Sequence, residues 1–138
     1  MHRRHFLIAS GLTITGAALT LPSALRAAPL DYVPGLLEER LAAGETVFLD
    51  FKASWCTTCK AQEKVLNALK AENPDYERQV TFINVDWDEY GRGDLVRRMN
   101  IPRRSTLVVL KGEAELGRIV AQTSRKQIKA LMDLALNA

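Results

Sequence analysis

Between residues 28 and 138 the apolar positions fall into two alternating patterns, helical stripes and short continuous runs. Leu36, Leu37, Leu41 and Ala42 recur at the three- and four-residue spacing of one helix face, and Gly44 closes that helix. Val47-Phe48-Leu49-Asp50-Phe51 is a nearly unbroken apolar run, the pattern of a strand covered on both faces. A second helix starts around Cys56 and Cys59, with Ala61, Val65, Ala68 and Leu69 as its expected buried stripe, and Asn73-Pro74 stops it. Residues 80–85 form a second strand, 86–93 a polar loop and 94–99 a short helix. Residues 106–110 and 115–120 flank a turn at Lys111-Gly112 and predict a hairpin. In the last helix, Ser124 and Gln127 have the spacing of a capping box, in which each side chain satisfies a free backbone N–H, and Ile128, Leu131, Met132 and Ala135 share one face. The order is helix, strand, helix, strand, helix, strand, strand, helix. It predicts one α/β domain over residues 28–138, a central mixed β-sheet flanked by helices.

Residues 1–27 do not continue this pattern. They start with Arg3 and Arg4, run through an apolar stretch from Phe6 to Leu21 and reach small residues at Ala24, Ala27 and Ala28. That is the layout of a secretory signal peptide, with cleavage expected near Ala27 and a periplasmic mature protein without a membrane span. Arg3-Arg4-His5-Phe6-Leu7 resembles the twin-arginine export motif, with His2 before the pair. An uncleaved anchor and an ordinary secretory signal are the competing readings. Arg3, Arg4 and Arg26 are the ionised side chains of this segment, so the remainder carries 16 basic and 16 acidic residues. No electrostatic case for nucleic-acid binding survives that balance. His2 and His5 also leave with the segment, which excludes a Ser-His or Cys-His nucleophile and any histidine-ligated metal.

The pair Cys56-Thr57-Thr58-Cys59 has three readings: a redox dithiol, half of a zinc site, or two structural thiols. Zinc needs four ligands, more than one mature chain offers, and a disulfide across two residues closes too small a loop to stabilise a fold much. The redox reading has positive support. A strand precedes Cys56 and a helix follows, which places its sulfur near unpaired N–H groups and the positive end of the helix dipole. Such surroundings favour the thiolate, the attacking species. Cys59, one turn later, is then the resolving thiol. No metal or cofactor is expected.

Phe48-Leu49-Asp50-Phe51-Lys52-Ala53-Ser54-Trp55-Cys56-Thr57-Thr58-Cys59-Lys60 resembles the active-site segment of thioredoxins, including the tryptophan before the first cysteine and the lysine after the second. The resemblance extends over essentially all of residues 28–138 and implies a thioredoxin fold. Within the superfamily the segment is most similar to the C-terminal thioredoxin-like domain of the bacterial transmembrane thiol:disulfide interchange protein, where a glutamate also follows the second cysteine by four residues, as Glu63 does here. That implies a periplasmic reductase of disulfides in client proteins, supplied by a membrane electron donor. A disulfide-introducing oxidase is the alternative enzyme. A binding module or chaperone, holding a partner or metal centre through its dithiol, is the alternative from another class.

The resemblance also assigns supporting residues. Asp50 has the spacing of the buried aspartate beneath the thioredoxin dithiol; buried, its pKa rises and it can take the proton that Cys59 must lose. A surface-facing Asp50 is the alternative. Glu63 either tunes the same proton or is a solvated helix glutamate, and Trp55 both packs and offers a platform to a partner's backbone. The main departure is Ser105. Thioredoxins carry a cis-proline just before the residue matching Thr106, whereas here the segment reads Arg104-Ser105-Thr106. Either Ser105 occupies the proline place through a trans peptide, since a non-proline cis bond costs about 2.5–4 kcal/mol, or the loop shifts to use Pro102. Arg103 and Arg104 then border the cysteines, favouring thiolate and acidic partners, or form a solvated pair.

Overall fold

The computed structural model describes residues 28–138; the export segment expected over residues 1–27 lies outside the described residues. Its elements are β1 (Leu30–Asp31), α1 (Leu36–Ala42), β2 (Thr46–Lys52), α2 (Thr57–Glu72), α3 (Asp75–Gln79), β3 (Val80–Asp86), α4 (Trp87–Tyr90), α5 (Asp94–Arg98), β4 (Thr106–Lys111), β5 (Ala114–Val120) and α6 (Arg125–Leu136). The strands form one five-stranded sheet in the order β1-β3-β2-β4-β5. β3 runs parallel to β1 and β2, while β4 is antiparallel to both β2 and β5, so the sheet is mixed as the element order requires.

β2 sits at the centre with a partner along each edge, and its first six residues are buried. Side chains alternate between the two faces of a strand. Val47, Leu49 and Phe51 accordingly join one core with Leu37 of α1 and Leu95 of α5. Phe48 points the other way, into a second core with Leu66 and Leu69 of α2 and Ile128 and Met132 of α6. Asp50 is two residues from Phe48 and shares the α2 face. A domain covered on both sides of its sheet needs just such a strand, apolar from Val47 to Phe51 except at Asp50.

Three short elements are additional to those read from the pattern. β1 is a two-residue strand beside β3, within the lead segment before α1. Asn73-Pro74 does end α2, but the chain then turns once more as α3, where the Asn73 carboxamide oxygen accepts from the Asp75 N–H at 3.1 Å and Tyr76 is buried. The expected loop over residues 86–93 contains α4, started by Asp86, whose side chain accepts from the Asp88 N–H at 3.0 Å. Each is too short for hydrophobic periodicity to register; the Asn73 turn before α3 and the Asp86 cap of α4 are the local signals two of them leave.

The buried stripe of α2 also differs. Cys59, Gln62, Leu66 and Leu69 are buried, whereas Ala61 and Ala68 face solvent. The helix is rotated so that its cysteine and its larger leucines meet the sheet, because burying leucine removes far more apolar surface than burying alanine. Half of the expected capping box is present in α6. Ser124 Oγ accepts from the Gln127 N–H at 3.2 Å, but Gln127 Oε1 takes the serine hydroxyl proton, at 3.0 Å, rather than the Ser124 backbone N–H. The hairpin turns through Gly112, whose φ of +57° is a conformation open to glycine.

This register separates two substitutions one turn apart. Leu66→Ala should lower unfolding stability by about 2–5 kcal/mol, whereas Ala68→Gln should change it by no more than about 0.5 kcal/mol. Denaturant titration checks both, and a larger loss at position 68 would contradict the observed face of α2.

Candidate active site

Cys56 is the N-cap of α2, with extended backbone (φ −85°, ψ 111°), and Cys59 lies in the helix's first turn. The two are joined by a disulfide with Cα atoms 5.2 Å apart. Cys56 Sγ accepts from the Cys59 backbone N–H at 3.1 Å. The sulfur thus takes the place a serine or aspartate oxygen usually holds at a helix start, next to donors that lack intrahelical partners. Both sulfur residues are sunk in the protein, Cys56 2% and Cys59 1% exposed, and Ala53 and Trp87 pack against them.

Ser105 faces this pair, which decides between the two loop placements: Ser105 occupies the site and Pro102 is exposed. There are no cis peptide bonds among the described residues, and Ser105 adopts φ +64°. A non-glycine residue there is strained and persists when its surroundings hold it. Here they do. The Ser105 N–H donates to the Phe51 carbonyl at 2.7 Å, and its own carbonyl accepts from the Ala121 N–H at 2.9 Å and from Gln62 Nε2 at 3.0 Å. The fully buried hydroxyl ends 3.2 Å from Cys56 Sγ and 3.1 Å from Cys59 Sγ. Thr106 begins β4, and its hydroxyl donates to the Arg103 carbonyl at 2.7 Å, tightening the turn before the strand.

The rim of the site is a stack. Trp55, 53% exposed, donates its indole N–H to both oxygens of Asp88 at 3.0 and 3.1 Å, and the Arg104 guanidinium lies over its ring, 4.4 Å from the centroid. Arg104 thus stacks on the tryptophan that precedes Cys56 in the chain.

Asp50 is buried at 5% exposure, as the reading from resemblance required, and Oδ1 has no hydrogen-bond partner among the described residues. It opens on a cavity of about 200 Å³ lined by Lys52, Glu63 and Lys70 among others, and by neither cysteine. Burial pushes its carboxyl up from 3.8 to about 7, with Lys52 and Lys70 pulling against the rise and Glu63 adding to it. Glu63 itself is half exposed and pairs with Lys52 at 3.0 Å. The structure thus forms two groups, the sulfurs with Ser105 and the Asp50 cavity with Glu63, both resting on α2.

The thioredoxin family model matches residues 35–134. This chain belongs to the thioredoxin family. Thioredoxin H2-1 of Oryza sativa subsp. japonica is 36% identical over 74 residues, 54% of this chain and 49% of that protein. Thioredoxin H5 of the same organism is 31% identical over 84 residues, 61% of this chain and 58% of that protein. The chain spans about half the length of these relatives. Trxlp from Edwardsiella tarda EIB202 has a similar solved structure, with TM-score 0.63 and 25% identity, covering 74% of this chain and 97% of that one.

Against this thioredoxin-family frame, sequence reasoning missed Gln62, Asp88 and Trp87. Gln62 was visible in principle, because a polar residue three positions after Cys59 and four before Leu66 falls on the helix's inner face. Asp88 and Trp87 reach the site through α4, an element the pattern did not show.

The Asp50 carboxyl yields a prediction whose sign is fixed. The unfolded group loses its proton near 3.8 and the folded one near 7, so the native state holds the extra proton between those values and stability falls as pH rises through them. Asp50→Asn removes that loss. By thermal unfolding it should exceed the parent at about pH 8, by up to about 4 kcal/mol, and approach it at about pH 4. A stability difference that does not vary with pH would contradict a buried, proton-holding Asp50.

Proposed function

We propose that this chain is an exported thiol:disulfide oxidoreductase that reduces disulfides in client proteins of the periplasm. The observation that carries the reading is the seat of Cys56 Sγ at the start of α2, accepting the Cys59 N–H at 3.1 Å. A thiolate at Cys56 is stabilised there by backbone donors and the helix dipole, so it attacks. Cys56 displaces one client sulfur and forms a mixed disulfide. Cys59 then loses its proton and attacks Cys56 Sγ, which releases the second client thiolate and leaves the Cys56–Cys59 disulfide. Two electrons pass to the client.

Proton transfer at Cys59 is supported by the buried carboxyl. In the reducing direction Cys59 must lose its proton on every turnover; in the reverse direction a client thiolate attacks Cys56, and the Cys59 thiolate it releases must take a proton up. Asp50, with proton affinity near neutral pH and a place on the sheet face that meets α2, suits that transfer; the reducing direction rests on the resemblance to the interchange protein. Glu63 adds to that affinity from the mouth of the same cavity, in keeping with the resemblance to the C-terminal domain of the transmembrane interchange protein. Export rests on Arg3-Arg4 and the apolar stretch after them. In an oxidising compartment the dithiol needs recharging, hence a membrane electron donor. Among the described residues no helix is long and apolar enough to cross a membrane.

Equilibration of the Cys56–Cys59 couple against glutathione tests the direction. A potential near that of thioredoxin, about −270 mV, is expected; one near −120 mV makes the protein an oxidant. Cys59→Ala should accumulate mixed disulfides on Cys56 with client proteins in a periplasmic extract. Trapping through Cys59 in the Cys56→Ala protein instead would reverse the two roles.

A further inference from the structure

Ser105 stands where the thioredoxin resemblance places a proline, and its hydroxyl is nearly equidistant from the two reacting sulfurs, 3.2 and 3.1 Å. Proline there has no polar atom to offer; a hydroxyl has one proton to donate and lone pairs to accept. The hydroxyl is also in a fixed position. The residue's N–H and carbonyl are anchored to Phe51, Ala121 and Gln62, and its left-handed backbone aims the side chain at the disulfide. Gln62 spans two backbone carbonyls, those of Ser105 and Gln122, at 3.0 Å each. It ties the loop to the same helix that carries the cysteines.

We propose that Ser105 is a catalytic hydroxyl that donates its hydrogen bond to whichever sulfur carries the negative charge, and that Gln62 is the residue that positions it. The proposal rests on Cys56 being the attacking sulfur. In the reduced protein the hydroxyl donates to the Cys56 thiolate and accepts from the Cys59 S–H. Once Cys56 is bonded to the client sulfur it is neutral and a weak acceptor. The hydroxyl then turns to Cys59, stabilising the thiolate that forms as the Cys59 proton departs. No proton is gained or lost by Ser105 itself; the electron balance remains that of two-step exchange. One donor thus serves both displacements without moving the backbone. A hydrogen bond to the charged form of a group lowers its pKa, and one to an ionised partner is stronger than one between neutral groups.

Ser105→Ala and Ser105→Gly both remove the hydroxyl, and the glycine variant suits φ +64° and so preserves the fold. The reduced proteins are titrated by thiolate absorbance, and iodoacetamide labelling with mass analysis assigns the titrating sulfur. In both variants the Cys56 pKa should rise by about one unit, roughly tenfold less thiolate below that pKa. The mixed disulfide with glutathione should also resolve about tenfold more slowly. Gln62→Leu should shift the Cys56 pKa in the same direction by a smaller amount. An unchanged Cys56 pKa and resolution rate in Ser105→Gly would overturn the role of the hydroxyl. A Gln62→Leu protein that melts earlier with Cys56 unshifted would reduce Gln62 to a packing residue. Labelling at Cys59 in the parent would instead fault the assignment of the attacking sulfur, a separate failure.

Discussion

The rest of the structure depends on β2 being paired along both edges and covered on both faces. Every hydrogen-bonding group along its length has a partner strand, and burial on two sides removes any freedom to slip in register, since a shift by one residue would send each side chain to the wrong core. Its end is therefore a fixed point. Cys56 follows four residues after Lys52, the last residue of the strand, and the carbonyl of Phe51 receives the N–H of Ser105 from the far side of the site. The attacking sulfur and the group that faces it are both located by one strand.

The same burial gives Asp50 its chemistry. Apolar packing on the α2 face leaves its Oδ1 unpaired among the described residues, and a carboxylate in that position is costly, so the group keeps a proton to near neutral pH. Lys52, Glu63 and Lys70 line the cavity beside it and set the balance, the lysines favouring the anion and the glutamate opposing it. Lys70 extends over the Phe82 ring, 3.8 Å from the centroid, which covers part of this cavity with aliphatic stem and ring.

At the sulfurs the arrangement is one of backbone adaptation. A thioredoxin-family chain without proline at this loop still needs a sharp, rigid approach to the dithiol. Here that approach is made by a serine in the left-handed region, anchored through three backbone hydrogen bonds that involve Phe51, Ala121 and Gln62. The rim is held separately, by the Asp88–Trp55–Arg104 stack. Rigidity beneath the sulfurs and a fixed aromatic plane above them leave the exchange chemistry in a site with little conformational freedom to lose.

Much of this was legible in the chain itself. The nearly unbroken apolar run over Val47–Phe51, the Cys-Thr-Thr-Cys segment soon after it and the leucine-bearing helices are strong local patterns, because burial on two faces and helical periodicity leave direct marks on residue order. They were enough for the mixed sheet and the place of the cysteines at a helix start, while the burial of Asp50 was expected from the thioredoxin resemblance, against a surface-facing alternative. The rotation of α2, the turns of α3 and α4 and the clamp by Gln62 belong to the tertiary structure alone, which also decided between Ser105 and Pro102 for the place opposite the sulfurs. Each depends on groups far apart along the chain, such as Ser105 with Cys56 or Trp55 with Asp88, whose meeting leaves no local mark on residue order. Residue types set which chemistry was possible, a dithiol, a carboxyl and a hydroxyl; only the packing of the sheet against α2 and α4 decided which of them stand within reach of one another.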